Sequence, residues 1–290
     1  MTAKPHLQSL IFEVTQRCNH ACLHCYNVWQ GQSPAGRPAY PRGELDTART
    51  LALLAKALDE TDCRHVTLTG GEPLLRPDLP DLLDFLRERK VRSTIISNGR
   101  LLDEPTAAGL IERGVGLFEL PLLSHKREVH DRLSGVAGAW DAVLRAMANV
   151  RLHHGQFAAA FVATRLNVDD VHAAMRLAFA FGARAVMFNR FNPGGRGRDH
   201  LAELLPTADQ VRRALAAADA ASAEFGLPVA CSIPIQPCLV DTRAYPRLGF
   251  GYCAAGSERA YYTLDPLGNV RPCNHTDQIL GNLLEESFAA

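Results

Sequence analysis

Residues 65–99 read HVTLTGGEPLLRPDLPDLLDFLRERKVRSTIISNG. This stretch begins with a β-branched run that ends in glycines, and it closes with a second such run, STIISNG at 93–99, that ends in an Asn-Gly turn. Between them, residues 80–89 place apolar side chains at helical spacing. Strand, helix and strand in this order predict two parallel strands joined by a helical crossover.

The same alternation continues on both sides of that stretch. The predicted strands are 10–15, 65–70, 93–99, 115–123, 157–167 and 185–191, and the predicted helices between them are 45–60, 80–89, 105–114, 140–155 and 169–183. This alternation predicts an α/β fold, a partial (βα)6 TIM-like barrel, although an open doubly wound sheet fits the same pattern. In either fold, ligands bind beyond the carboxyl ends of the strands.

Composition narrows the classes of function. The chain has 290 residues, of which 47% are apolar, and 31 basic residues balance 31 acidic ones. A net charge of zero provides no basic field for nucleic acid and no basic cluster for a membrane surface. The sequence also shows no signal-peptide pattern and no run of roughly 20 apolar residues that would span a bilayer. We therefore expect a cytoplasmic protein without a nucleic-acid or membrane partner.

Three of the eight cysteines crowd into the loop after the first predicted strand, at Cys18, Cys22 and Cys25. Clustered cysteines in a cytoplasmic chain indicate metal binding rather than disulfides. Thiolates are the preferred ligands of iron–sulfur clusters, and three of them leave one iron of a 4Fe-4S cluster free to bind another molecule. The alternative is a zinc site that His20 or His24 completes.

The run of residues 18–26, CNHACLHCY, resembles the CxxxCxxC signature of the radical S-adenosylmethionine (SAM) superfamily. The resemblance implies that the amino and carboxylate groups of SAM bind the open iron of the cluster. It further implies that reduction cleaves SAM to a 5′-deoxyadenosyl radical, which abstracts a hydrogen atom from the substrate. His24 sits where the family has an aromatic residue near the adenine.

Two further turns match that family. Residues 69–73, TGGEP, match its GGEP motif, whose carboxylate can accept hydrogen bonds from the SAM ammonium, and residues 97–99 fall where the family places polar groups on the ribose. The residues expected to bind SAM are Gly70, Gly71, Glu72, Pro73, Ser97 and Asn98, with Arg165 and Asn167 at the end of the fifth strand. Ordinary turns, a solvated Arg and a capping Asn are the alternatives, and no catalytic acid or base is assigned.

Four other cysteines lie near the end of the chain. Cys253, fourteen residues, a glycine, four residues and Cys273 resemble the start of a SPASM/Twitch auxiliary-cluster domain, and Cys231 and Cys238 could complete four ligands. The complete SPASM pattern continues with further cysteines, whereas none follows Cys273 here. The segment therefore resembles a one-cluster Twitch domain or a truncated SPASM domain. The alternative is a set of buried free thiols.

These features predict a radical SAM core over residues 1–205, then a connecting helix and a small iron–sulfur domain over 206–290. Three functions follow from them. The first is a peptide maturase that attacks a peptide or protein side chain, and the second is an enzyme acting on a small molecule such as a tetrapyrrole or natural-product precursor. The third is a non-catalytic iron–sulfur scaffold or electron carrier, which would not need the GGEP and SNG turns. Either enzyme needs a reductant such as flavodoxin or ferredoxin.

The surrounding sequence indicates the environment of three further features, Glu13, the run at 192–197 and Cys63. Glu13 lies within the first apolar strand, where it either points into the barrel or pairs with solvent. The run at 192–197, NPGGRG, lacks the Lys-Ser/Thr of a phosphate-binding loop, which favours a mobile solvent loop. Cys63 is expected to pack in the core.

Overall fold

The strands of the chain form one sheet. The computed structural model describes residues 4–7, 9–31, 39–257 and 260–288. Within those residues the strands are β1 (Leu10–Thr15), β2 (His65–Gly70), β3 (Arg92–Ile96), β4 (Val115–Pro121), β5 (Phe157–Ala163), β6 (Ala185–Arg190), β7 (Val229–Cys231), β8 (Leu248–Phe250), β9 (Tyr262–Leu264), β10 (Asn269–Arg271) and β11 (Gly281–Asn282). Their order across the sheet is β11-β10-β9-β1-β2-β3-β4-β5-β6-β7-β8.

Strands β1 to β8 run parallel to one another, so their carboxyl ends share one edge of the sheet. Strand β9 adds to the other side of β1, also in parallel, and β10 and β11 continue from it as antiparallel strands. The C-terminal part of the chain therefore extends the sheet at both ends, with β7 and β8 beyond β6 and with β9 to β11 beyond β1.

Helices connect the parallel strands. They are α1 (Thr47–Glu60), α2 (Leu79–Glu88), α3 (Glu104–Glu112), α4 (Arg127–Ser134), α5 (Ala139–Leu152), α6 (Val171–Ala180), α7 (Leu201–Leu204) and α8 (Ala208–Phe225). Asp46 caps α1, because its side chain accepts a hydrogen bond from the backbone of Arg49. Within the described part of the chain, no helix is long and apolar enough to cross a membrane.

The two faces of the sheet differ in burial. Phe12, Leu68 and Phe118 are fully buried in one core that they share with side chains of the helices. Their neighbours along the strands point to the opposite face because side chains alternate along a strand, and several of them, such as Ile11 and Leu117, are only partly buried. The face of the sheet that turns away from the helices, called the inner face, is therefore less completely buried than the core face.

The predicted α/β fold with a parallel sheet is confirmed, and each predicted strand and helix is present within a few residues of its expected bounds. The sequence patterns did not predict α4, β7 or β8. Strands β7 and β8 have three residues each, which is too short for a period to show, and α4 is a polar segment, REVHDRLS. The division at residue 205 stays a prediction.

Candidate active site

The cysteine loop, residues 16–27, follows β1 at the carboxyl edge of the sheet. Cys18, Cys22 and Cys25 in this loop are free and partly buried. Burial raises the pKa of all three thiols, that of Cys25 to about 11, and the charge of Cys18 further raises the pKa of the other two. The three sulfur atoms therefore lie close enough to influence one another.

This donor set suits a 4Fe-4S cluster. Each cysteine of such a cluster binds a different iron, so its thiolates lie farther apart than the ligands of one ion. Among the residues that the structure describes, no three His, Cys, Asp or Glu side chains are grouped tightly enough to hold a single metal ion. Within the described part of the chain, neither His20 nor His24 belongs to such a group.

The turn after β2 holds the first part of the cysteine loop in place. The backbone N–H of Gly71 donates to the carbonyl of Thr15 at 2.8 Å, and that of Glu72 donates to the carbonyl of Arg17 at 2.8 Å. A Cβ on Gly71 would lie 2.0 Å from the Arg17 oxygen, so only glycine permits this approach. From the sequence we expected these glycines to allow a ligand to approach the backbone closely. In the structure they allow the backbone of the cysteine loop to do so.

Helix α4 supports the middle of the cysteine loop. The backbone N–H of Leu23 donates to Leu133 at 2.9 Å, and that of Ala21 donates to Ser134 at 3.3 Å. Gly135 follows the helix with a φ of 66°, and a Cβ there would lie 2.2 Å from the Ala21 carbonyl oxygen. The loop that carries the cysteines therefore depends on a helix that its sequence did not reveal.

The glycine-rich run at 192–197 packs against the end of the cysteine loop. The N–H of Gly197 donates to the Cys25 carbonyl at 3.0 Å, and a Cβ on Gly195 would lie 2.3 Å from the carbonyl oxygen of Asn27. Both glycines are buried. The expectation of a solvent loop is therefore wrong, because these glycines serve a close contact between two backbone segments.

Glu72 links the GGEP turn to the SNG turn, and Pro73 begins a short 3-10 turn behind it. The Glu72 side chain is 0% exposed and accepts hydrogen bonds from the Ser97 hydroxyl at 2.8 Å, the Asn98 backbone at 2.7 Å and the Leu74 backbone at 3.1 Å. Burial raises the pKa of Glu72 to about 7, although these three donors oppose the shift. Two motifs that are distant in sequence thus form one unit.

Two further asparagines belong to the site and were not singled out from the sequence. The Asn98 side chain donates to Asn19 at 2.7 Å, and the Asn27 side chain donates to the Gly70 carbonyl at 2.8 Å. Asn19 lies between the first two cysteines, and Asn27 follows the third by two residues. In the sequence, only their proximity to the cysteines indicates that Asn19 and Asn27 belong to the site, because their hydrogen-bond partners lie in distant parts of the chain.

The histidines of the loop are neutral. Nε2 of His20 and Nδ1 of His24 are buried and have no hydrogen-bond partner among the described residues. Burial lowers the pKa of both imidazoles to about 4, so they are uncharged at neutral pH. An uncharged ring at position 24 suits the expected place beside an adenine, which stays a prediction.

Residues 12–178 match the family model described as the Radical SAM superfamily. The chain belongs to this superfamily. A PqqA peptide cyclase from Gluconobacter oxydans is 30% identical over 97% of this chain and 73% of its own length. The mycofactocin maturase MftC from Mycobacterium ulcerans is 31% identical over 96% of this chain and 72% of its own.

Solved radical SAM structures share the fold. Streptococcus suis SuiB bound to S-adenosylmethionine superposes with a TM-score of 0.73 at 18% identity, over 98% of this chain and 65% of that one. The anSMEcpe structure with bound AdoMet gives a TM-score of 0.70 over 98% of this chain and 79% of its own. As a radical SAM protein, the chain is an enzyme whose cofactors are a 4Fe-4S cluster and SAM.

Arg165 and Asn167 bond to neighbouring protein groups in the structure, and the SAM role that the radical SAM resemblance suggested for them stays a prediction. Arg165 donates to the carbonyls of Ala202 and Leu205 at the protein surface. Asn167 is buried, with its oxygen accepting from Thr164 and both amide hydrogens donated to backbone carbonyls. A side-chain amide has two N–H donors, and Asn167 uses both within the protein.

Two of the C-terminal cysteines of this radical SAM protein lie near one tyrosine. Burial first, and then the nearby thiols of Cys273 and Cys253, raise the pKa of the Tyr261 phenol to about 12, so these two cysteines approach the same ring. Cys231 is buried in β7, and Cys238 is exposed. The structure therefore brings together the two cysteines that carry the SPASM/Twitch resemblance.

Proposed function

We propose that this radical SAM enzyme abstracts a hydrogen atom from a side chain of a peptide or protein, as a peptide maturase. The observation that carries the proposal is the match to a PqqA peptide cyclase over 97% of the chain. A second support is the inner face of the sheet, where side chains such as Ile11 and Leu117 are only partly buried, so an extended substrate would have access to it.

Each group at the site has a role in this proposal. Cys18, Cys22 and Cys25 would hold the cluster, which with SAM supplies a 5′-deoxyadenosyl radical when bound and reduced. Glu72 would orient the SAM ammonium, since its Oε2 accepts one bond from Asn98 and retains acceptor capacity. A flavodoxin or ferredoxin would deliver the electron. We place the catalytic core in residues 1–205.

Cys253 and Cys273 belong to a second proposal, an auxiliary 4Fe-4S cluster. Their approach to Tyr261 supports it, and Cys231 and Cys238 are the remaining ligands that we propose. A site with four thiolates leaves no iron open to SAM, so this cluster would stabilise the C-terminal segment or conduct electrons.

A second candidate is a radical SAM enzyme acting on a tetrapyrrole. An Fe-coproporphyrin III synthase from Methanosarcina barkeri is 30% identical over 188 residues, which is 65% of this chain and 45% of that protein. The match leaves out a third of the chain, so the peptide proposal has the broader support.

One anaerobic experiment tests both candidates. The reconstituted enzyme is reduced with dithionite in the presence of SAM, and 5′-deoxyadenosine is measured with peptides encoded beside its gene, with iron coproporphyrin III, or with neither. We expect the radical product, stimulation by a peptide and loss of all product in the Cys18/Cys22/Cys25→Ala variant. Stimulation by the porphyrin alone would select the second candidate, and product from the triple variant would contradict both.

A further inference from the structure

Three glutamates lie on or directly after the parallel strands, at Glu13 in β1, Glu72 after β2 and Glu119 in β4, and two of them have side-chain partners. Glu13 forms an ion pair with Arg271, both side chains being at most 1% exposed. Glu72 accepts from Ser97 and from two backbone N–H groups. The backbone carbonyl of Glu119 accepts from the Ser97 N–H at 3.2 Å. Its side chain has no hydrogen bond or ion pair with any residue that the structure describes, so one carboxyl group of the three is left without a partner.

The position of Glu119 on β4 directs it to the inner face of the sheet. Its neighbours Phe118 and Leu120 are fully buried in the core, so the alternation along the strand turns Glu119 to the open face. Across the sheet it pairs with Ile96 of β3 and Ala158 of β5. Neither side chain can donate a hydrogen bond, so the flanking strands supply no partner at this level.

The surroundings of Glu119 connect it with the cysteine loop. The charges of Glu13 and Glu119 both raise the pKa of the Tyr26 phenol, after burial as the larger cause. Tyr26 directly follows Cys25, and its ring lies 4.4 Å from that of His275. Glu119 therefore lies within electrostatic range of the cysteine loop, at which SAM is expected to bind. Burial also raises the pKa of Glu119 to about 7.

We propose that Glu119 binds a positively charged group of the substrate, the ammonium or guanidinium of a Lys or Arg side chain, and so positions the peptide against the inner face of the sheet. This inference rests on the proposed function. Glu119 is partly exposed on this face, yet its surroundings disfavour the charged carboxylate, so a cation from the substrate would stabilise that charge on binding. A carboxylate with its acceptor sites free is also the group that a Lys or Arg side chain pairs with most strongly.

The test uses equilibrium binding rather than turnover. Labelled synthetic peptides that differ only in a central Lys, Arg, Leu or Glu are titrated onto the cluster-loaded enzyme with SAM and without reductant, and fluorescence anisotropy reports the dissociation constants. We expect the Lys and Arg peptides to bind about ten-fold more tightly than the Leu peptide, as for one charge-assisted hydrogen bond. Glu119→Gln should abolish that preference, and Glu119→Lys should shift it to the Glu peptide.

Glu88→Gln is the matched control, since Glu88 is an exposed glutamate at the end of α2. This variant should keep the wild-type preference. The proposal is overturned if the wild type shows no preference for cationic peptides, if Glu119→Gln retains it, or if Glu119→Gln weakens SAM binding and leaves the peptide preference unchanged. Failure of the proposed function is read separately, as absence of 5′-deoxyadenosine from the reduced wild-type enzyme.

Discussion

Glu72 shows how one side chain can join two sequence motifs. The sequence assigned its carboxylate to SAM, and the structure gives it three protein donors. If Glu72 is replaced by Ala, the Ser97 hydroxyl and the Asn98 N–H lose their acceptor, which costs about 1–3 kcal/mol for each group left unpaired in the interior. We therefore expect Glu72→Ala to lower the free energy of unfolding and also to weaken SAM binding about ten- to a hundred-fold.

Urea denaturation and equilibrium dialysis of SAM measure the two effects of Glu72→Ala. The matched control is Glu112→Ala at the exposed end of α3, which should change neither quantity. Unchanged stability would mean that the bonds to Ser97 and Asn98 contribute little. Lower stability with unchanged SAM affinity would reduce the GGEP motif to a structural turn.

Glu119 should impose a pH dependence on stability. Burial raises its pKa from 4.5 to about 7, so its contribution to stability is fully present below pH 4.5 and is lost as the pH rises through 7. Glu119→Gln does not titrate. At pH 8 it should therefore be about 1–3 kcal/mol more stable than the wild type, relative to their difference at pH 4.5. Urea denaturation at both pH values, without substrate, measures this, and an equal difference at both would show that Glu119 is not perturbed.

Among the elements, the glycine after α4 is the most specific support of the cysteine loop. Gly135 and Gly138 both adopt positive φ, 66° and 75°, so an Ala at either position strains the backbone by about 1 kcal/mol. Only at Gly135 would the added Cβ meet the Ala21 carbonyl, since nothing lies within 4 Å of a Cβ at Gly138. Gly135→Ala should therefore reduce iron incorporation, whereas Gly138→Ala should not. Iron per protein after anaerobic reconstitution measures this, and equal iron in the two variants would contradict the supporting role of α4.

The elements also show what a sequence can predict. The strands β1 to β6 were predictable because each carries its own apolar pattern, and radical SAM motifs mark the turns after β1, β2 and β3. The contacts of Gly135 and Gly195 were not, because a glycine shows no partner in sequence and both partners lie more than a hundred residues away. The pairing of Glu13 with Arg271 spans 258 residues, which no local pattern reveals. In the site, the residue types were predictable, and their partners were not.

At the scale of the whole molecule, the buried ion pair between Glu13 and Arg271 connects β1 to the hairpin of β9 and β10. Arg271 also lies over the Tyr40 ring, 5.3 Å from its centre, and donates to the carbonyl of Thr276 at 2.7 Å. Arg271→Ala leaves a buried carboxylate without its cation, which costs about 3–5 kcal/mol. We expect lower stability and faster proteolysis after residue 260. The double variant Glu13→Gln/Arg271→Met should recover part of the loss, and a double variant as unstable as Arg271→Ala would contradict this account.

The proposed auxiliary cluster would join segments that are far apart in the sheet, and its iron content can be predicted. Cys253 and Cys273 come from the loop after β8 and the end of β10, strands at opposite ends of the sheet order, yet both thiols approach Tyr261. If they hold a second cluster, the Cys18/Cys22/Cys25→Ala variant should retain roughly four irons after anaerobic reconstitution. Adding Cys273→Ala should remove them, whereas adding Cys63→Ala should not, since Cys63 is buried in the core as expected. Because a short, turn-rich segment gains stability from bound metal, loss of this iron should also expose residues after 250 to protease. A triple variant that binds no iron would show instead that these cysteines are free thiols.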